Sequence, residues 1–194
     1  MKFFRAEHPD ELWQLDVKGP VWIGGQKFWF PTCVDDHSRY LLVLECFDHE
    51  PTAEELTALL ERLRRNPKSI LTDNAGQFRG EHWRGWCAEH GIEPLYAHPY
   101  YPQDKGKVER TIRNIAEEFV NLSKRFLGWL EKIGEYRRWY NGVRVHLGIN
   151  TQPSSTPHWS ESSSPLPPTG VSALVGDTVF RFEKRRLPSK TPRC

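Results

Sequence analysis

Three acidic residues are spaced as a two-cation site needs them. Asp73 and Glu109 are separated by 35 intervening residues, and Asp16 lies inside the strand-like segment LWQLDVKG. Two acids on neighbouring strands and a third on a helix can converge on a pair of hard divalent cations, which prefer oxygen ligands. Such a pair suits phosphodiester chemistry, which needs an activated oxygen nucleophile and charge neutralisation on the attacking and leaving oxygens. A single Asp at a strand end is more often a turn or cap residue than a ligand. The weight therefore falls on the three together and on their surroundings, TDNAGQF after the second acid and HPYYPQDKGKVERTIRN around the third.

Other acids invite the same reading and are better explained otherwise. In DDHSRY, Asp35, Asp36 and Ser38 have the residue types of a hairpin turn. Asp104 precedes a helix pattern as an N-cap. Asn74, next to the second acid, either orders the loop or a metal-bound water, or is a simple turn residue.

The elements that must position these residues follow from periodicity. Three strands are predicted over Leu12 to Val17, Lys27 to Val34 and Tyr40 to Phe47, separated by Gly24-Gly25 and Asp36-His37-Ser38. Thr52-Ala53-Glu54-Glu55 is a capping box, and Leu56, Leu59, Leu60 and Leu63 follow at helical spacing, predicting a helix over about Thr52 to Arg65. Ser69 to Thr72 reads as a short buried strand ending at Asp73, Glu81 to His90 as a helix stopped by Gly91, and Glu93 to Ala97 as a last strand. From Lys105 onward Val108, Ile112, Ile115, Phe119, Leu122 and Phe126 step by four and three, the pattern of a long amphipathic helix with Glu109 at the edge of its apolar stripe. Gly128 and Gly134 are expected to break or bend its continuation, which carries Trp129, Leu130, Ile133, Tyr136 and Tyr140.

Composition narrows the class. The chain has 194 residues, 38% of them hydrophobic and 27% charged, enough for one ordinary domain with a real core. No apolar run approaches a membrane span and no apolar signal core opens the chain, so a cytoplasmic, nucleoid-associated protein with no membrane partner is expected. Cys33, Cys46, Cys87 and Cys194 form no CxxC pair and read as reduced structural thiols. Net charge is only +2, but residues 101–150 carry ten Lys and Arg against six acids, and residues 181–194 six against one, which suits a polyanionic partner. Residues 151–170 hold five Pro and six Ser and read as a linker, followed by a strand candidate at Thr178 to Phe182.

On these motifs, from about Glu11 to about His146, the chain resembles the DDE transposases and retroviral-type integrases, specifically the integrase core with its D,D,35,E arrangement. The resemblance implies an α/β, ribonuclease H-like fold: a mixed five-stranded sheet flanked by helices, with a helical extension and a flexible basic tail. The first and fourth strands would then lie side by side at the sheet's centre, bringing Asp16 and Asp73 together. The organisation expected is an integrase-type catalytic core over 1–127, a helical extension over 128–150, a Pro/Ser-rich linker over 151–170 and a short basic tail over 171–194.

By the same resemblance, Asp16, Asp73 and Glu109 are the catalytic residues and hold Mg²⁺ or Mn²⁺, two ions in all. Tyr100, Gln103, Lys105, Lys107, Arg110 and Arg113 would contact DNA, with Gly106 giving the loop its freedom and the cationic residues touching phosphates without reading sequence. Exposed lysines at a helix start are also common with no such role. The activity implied is metal-dependent DNA strand cleavage followed by transesterification by a 3′-hydroxyl, with DNA ends and target as partners and a homo-oligomer assembled on them.

Several departures keep alternatives open. The family more often reads DNG with an acid two residues later, where this chain has Ala75, Gly76 and Gln77. In WYNGVRVH, Val145 stands where the family usually has proline, and Trp139, Tyr140 and His146 read as packing or turn residues. The helix-turn-helix region that reads element ends is not evident, so the expectation is either a separate helix-turn-helix end-binding polypeptide or a chain that is a fragment or decayed copy. The rivals are a degenerate or domesticated core that binds DNA or a partner transposase without cutting, and a ribonuclease H-type nuclease acting on hybrids.

Overall fold

The structure is a computed structural model that describes residues 6–97, 106–121, 127–146 and 152–153. Its first two strands, β1 (Leu12–Ile23) and β2 (Gln26–Asp35), form a long antiparallel hairpin. Gly24 and Gly25 close it, both at positive φ, the conformation that a two-residue hairpin turn requires and that glycine adopts without strain. The third, β3 (Leu41–Leu44), pairs antiparallel with β2. β4 (Ser69–Thr72) runs parallel to β1, and β5 (Glu93–Tyr96) parallel to β4. The sheet order is β3-β2-β1-β4-β5, the ribonuclease H-like arrangement, with β1 at the centre and β4 beside it.

Helices cover both faces. α1 (Ala53–Glu61) begins at the Thr52 cap, where the capping box forms as read: Thr52 Oγ1 accepts from Glu55 N, and the Glu55 carboxylate accepts from Thr52 N. With α3 (Glu81–Glu89) it covers one face, where Trp13, Leu15, Cys33, Leu56, Leu60, Ile70 and Trp83 form one core. On the opposite face α4 (Gly106–Ile115), one π-helical turn (Ala116–Val120) and α5 (Ile133–Gly142) pack Ile112, Ile115, Phe119, Tyr136 and Tyr140 on Phe30, Val34, Leu41 and Leu44. Each fully buried large side chain contributes about 1.5–3 kcal/mol relative to exposure, so both layers hold the sheet firmly.

Several boundaries differ from expectation. β1 continues six residues past Val17, because Gly24-Gly25 lets β2 stay paired with it to the hairpin tip. α1 ends at Glu61 rather than Arg65; Arg62 is its C-cap and Arg64 takes a positive φ. β3 is shorter than Tyr40 to Phe47, although Phe47 still bridges to Trp29. α2 (Gly76–Arg79) falls where no element is predicted, anchored by the fully buried Phe78. Gly134 does not break the chain: it is buried in the first turn of α5, and the interruption is the 3-10 segment Leu127–Lys132. Leu122 and Phe126, the linker apart from Gln152 and Pro153, Thr178 to Phe182, Cys194 and the basic tail lie outside the described residues. Two short strands, β6 (Val145–His146) and β7 (Gln152–Pro153), pair antiparallel.

Among the described residues the outer edge of β3 is met by side chains rather than by another strand. Asn141 accepts from Leu41 N (2.8 Å) through Oδ1 and donates to Leu41 O (3.0 Å) through Nδ2. Arg137 donates to Leu42 O at 3.5 Å, and burial pulls its guanidinium pKa down despite the Glu45 carboxylate nearby. An exposed edge strand is a template for aggregation, and here α5 covers it.

Candidate active site

The register of the central strands places the first two acids. Leu12 pairs with Ser69, Trp13 with Ile70 and Gln14 with Leu71. Asp16 lies two residues past Gln14 on β1, and Asp73 two residues past Leu71, just beyond the end of β4. Their face follows from the pleat. Trp13 and Leu15 pack into the core under α1 and α3, which turns Gln14 and Asp16 to the α4 face. Thr32, the β2 partner of Asp16, sits between Phe30 and Val34 on that same face. Asp73 shares the parity of Leu71, which clusters with Leu12 there.

The loop after β4 is held by its own side chains. Asp73 Oδ1 accepts from Ala75 N at 3.0 Å, an Asx-type turn. Asn74 Nδ2 donates to Ala97 O at 2.8 Å, tying this loop to the end of β5, where the path toward α4 begins. Arg79 donates to Asn74 Oδ1 and lies over the Tyr96 ring, 3.6 Å from its centroid. Tyr96 in turn donates its hydroxyl to Phe78 O at 2.9 Å.

Glu109 stands in the first turn of α4, exposed, with Ile112 one turn on anchoring the helix to the sheet. It therefore occupies the same face as Asp16 and Asp73. Among the described residues, no three His, Cys, Asp or Glu side chains are gathered closely enough to hold a metal ion. The structure thus brings Asp16 and Asp73 into step and leaves Glu109 on their face without a shared coordination sphere. The donors are hard carboxylates, the chemistry Mg²⁺ and Mn²⁺ select, so the pair fits such a cation in kind.

The remaining residues divide cleanly. Arg110 and Arg113 are exposed on α4; Gly106 and Lys107 belong to its first turn; Tyr100, Gln103, Asp104 and Lys105 lie outside the described residues. Asp35 and Asp36 are structural: Asp35 Oδ1 accepts from Ser38 N and Oγ, both at 2.7 Å, while Asp36 accepts from Ala6 N and Gln14 Nε2. Burial raises the Asp35 pKa, against the lowering effect of the Ser38 bonds. Cys33, Cys46 and Cys87 are unbridged, and burial pushes Cys46 up to about 12 and Cys87 to about 11, so they are poor nucleophiles. Tyr140 is buried, donating to Thr111 Oγ1 at 3.3 Å, whereas Trp139 stays partly exposed. Two polar residues of α5, Arg137 and Asn141, were missed by sequence reasoning. Their signal was weak, since a helical Asn or Arg reads as surface until β3 is seen beneath it.

A family model described as "Integrase core domain" matches residues 6–102, half of the chain, and a second of the same description matches residues 90–153. The chain belongs to the integrase core domain family. Among curated proteins, this integrase core domain is 24% identical over 162 residues to a 39.2 kDa protein of insertion element IS476 from Xanthomonas euvesicatoria, covering 78% of the chain and 45% of that protein. It is 34% identical over 119 residues to the retrovirus-related Pol polyprotein of transposon TNT 1-94 from Nicotiana tabacum, covering 58% of the chain and 9% of the polyprotein. The chain thus spans less than half the length of either relative.

Solved structures show the same fold. The HTLV-2 integrase catalytic core domain in complex with magnesium, in its dimeric form, superposes with a TM-score of 0.61 at 22% identity, covering 77% of this chain and 97% of that one. A chain of the simian T-cell lymphotropic virus intasome in complex with PP2A regulatory subunit B56 gamma gives 0.69 at 20% identity, covering 84% and 59%. Among the described residues no helix is long and apolar enough to cross a membrane.

Proposed function

We propose that this chain is the catalytic core of a transposase or integrase that cuts DNA strands in a metal-dependent step and joins the resulting end to a target strand. The observation that supports the reading is that Asp16 and Asp73 each lie two residues past the last pair of the β1–β4 ladder, with Glu109 in the first turn of the helix over that sheet. Mg²⁺ or Mn²⁺, two ions when bound, would supply charge neutralisation at the attacking and leaving oxygens. Asp16 and Asp73 would hold them, with Glu109 as the third carboxylate. In the first step water attacks a phosphodiester and the 3′-oxygen leaves as a hydroxyl. In the second that hydroxyl attacks a target phosphodiester, a transesterification with no covalent enzyme intermediate.

Arg110 and Arg113, exposed on α4, would meet phosphates, together with Lys105, Lys107, Tyr100 and Gln103. Residues 1–127 would form the core proper and 128–150 an extension, with 151–170 a linker to a basic tail at 171–194. Because two ends must reach one target, the working form is a homo-oligomer on DNA, acting in the cytoplasm at the nucleoid. The magnesium-bound, dimeric HTLV-2 core and the intasome named above support metal use and assembly by kinship of fold.

One observation favours a second reading, a core that binds DNA without cutting: no three acids stand together among the described residues. A joining assay separates the two. A labelled duplex ending in a 3′-hydroxyl, incubated with the protein, Mn²⁺ and plasmid, is expected to become covalently joined, and its 3′-deoxy counterpart is not. Binding of both duplexes with joining of neither supports the non-catalytic core, and cleavage confined to an RNA–DNA hybrid supports a ribonuclease H-type nuclease.

A further inference from the structure

The residues on either side of Asp73 both bind Ala97, just past the end of β5. Ala97 N donates to Thr72 O at 2.9 Å, and Ala97 O accepts from Asn74 Nδ2 at 2.8 Å. The first bond continues the β4–β5 ladder and needs only backbone. The second needs a side-chain amide turned the right way. An Asn amide carries an acceptor on one arm and donors on the other. At Asn74 the acceptor arm takes a bond from Arg79, which leaves the donor arm to Ala97.

Arg79 is itself held in place. It is the last residue of α2, whose Phe78 is fully buried and meets the Trp83 ring edge-on, 5.1 Å between centroids. Tyr96 donates its hydroxyl to Phe78 O, and the Arg79 guanidinium lies over the Tyr96 ring, Cζ 3.6 Å from the centroid. A cation over an aromatic face is attracted by the ring's quadrupole, and a planar guanidinium stacks there as an ammonium does not. The contacts close a circuit, from Tyr96 through Arg79 and Asn74 to Ala97, the residue next to Tyr96. Tyr96 packs with the core under α1 and α3, away from the α4 face to which Asp16 is turned. The Arg79–Tyr96 pair therefore reaches the second acid through Asn74.

We propose that Arg79, seated on Tyr96, is a positioning residue for the second acid: it orients the Asn74 amide, and that amide fixes the backbone that presents Asp73 to a divalent cation. The inference rests on the reading of the chain as a metal-dependent DNA-processing core. In this role Arg79 touches neither the DNA nor the cation.

The test compares the parent with Arg79→Ala, Arg79→Lys, Asn74→Ala, the double variant Arg79→Ala/Asn74→Ala, and a control, Arg84→Ala, which removes an exposed arginine of α3. Amide hydrogen exchange, in EDTA and without DNA, reads the loop alone. Arg79→Ala is expected to speed exchange at Ala75 N, which donates to Asp73 Oδ1, by about 2–10-fold, the range for one hydrogen bond, with an unchanged thermal midpoint. Plasmid nicking in Mn²⁺ reads the consequence. Asn74→Ala is expected to slow it about 10–100-fold and Arg79→Ala about 10-fold, the range for groups that orient a ligand. The double variant is expected to be no slower than Asn74→Ala, because residues acting as a unit are not additive. Arg79→Lys, which keeps the charge without the planar fork, recovers part of the loss, and Arg84→Ala matches the parent in both readouts. Affinity for a labelled duplex in EDTA keeps the parent's salt dependence in every variant. Losses that multiply in the double variant, parental exchange at Ala75 in Arg79→Ala, a lowered thermal midpoint, or a salt slope reduced by about 1, the mark of a direct phosphate contact, overturn the positioning role and leave the DNA-processing reading standing. A parent that nicks no DNA in Mn²⁺ overturns both.

Discussion

Asp16 lies two residues past Gln14 on β1 and Asp73 two residues past Leu71, just beyond β4, so the two acids follow the last pair of the β1–β4 ladder at the same separation in sequence. Everything proposed for the chain's chemistry grows from that juxtaposition. The bonds from Ala75 N to Asp73 Oδ1 and from Asn74 Nδ2 to Ala97 O fix the loop that carries the second acid.

Asn74 acts on the site through the backbone. Its Nδ2 bond to Ala97 O joins the Asp73 loop to the strand end that leads toward Glu109. Asn74→Ala is expected to leave the melting temperature nearly unchanged, because the bond is exposed, while cleavage falls about 10–100-fold, the usual effect of losing a group that orients a ligand. Parallel melting and cleavage measurements check the split.

Asn141 satisfies both the N–H and the C=O of buried Leu41. Asn141→Ala strands both groups and is expected to cost about 2–4 kcal/mol, read as a lower urea midpoint with an unchanged slope. Asn141→Asp keeps the acceptor for Leu41 N but sets an anion against Leu41 O, and is expected to be no better.

Gly19 has no room for a side chain: a Cβ there would come 2.3 Å from Trp29 Cδ1. Trp29 packs against the α1/α3 core and cannot simply swing away. Gly19→Ala is expected to destabilise by about 1–3 kcal/mol, measured by chemical denaturation.

His49 contacts two carboxylates, Asp48 Oδ1 at 2.8 Å and Glu55 Oε1 at 2.9 Å, and these bonds, Asp48 first, raise its pKa above 6.5. A raised folded pKa means stabilisation that is fully present below the unfolded value and lost as pH rises through the folded one. The parent's melting temperature is thus expected to exceed that of His49→Ala at pH 6 by no more than about 3 °C, because the pair is largely exposed. The gap should close above the raised pKa and shrink in high salt.

Local chemistry made much of this architecture legible. The Thr52 to Glu55 capping box, the Gly91 stop and the Ser69 to Thr72 strand all depend on neighbours in sequence, and all three form. α2 was illegible because its cause is tertiary: NAGQF has turn composition, and only the pocket that buries Phe78 makes it a helix. The long hairpin was under-read for a related reason, since Gly19-Pro20 looks like a strand end until Trp29 is seen lying across Gly19. At the site, residue types and the 35-residue spacing pointed to the three acids. The in-step placement of Asp16 and Asp73 needed the strand register, which no spacing supplies.

The most direct measurement is nicking of supercoiled plasmid in Mn²⁺ by the parent beside Asp16→Asn, Asp73→Asn and Glu109→Gln, purified identically. Asparagine at 73 can still accept from Ala75 N through its amide oxygen, so that variant tests charge rather than folding. The parent is expected to nick, and each variant to lose at least about 100-fold, on the scale of several kcal/mol of transition-state charge stabilisation. Nicking by Asp73→Asn at the parent's rate would contradict a metal-dependent site built on these carboxylates.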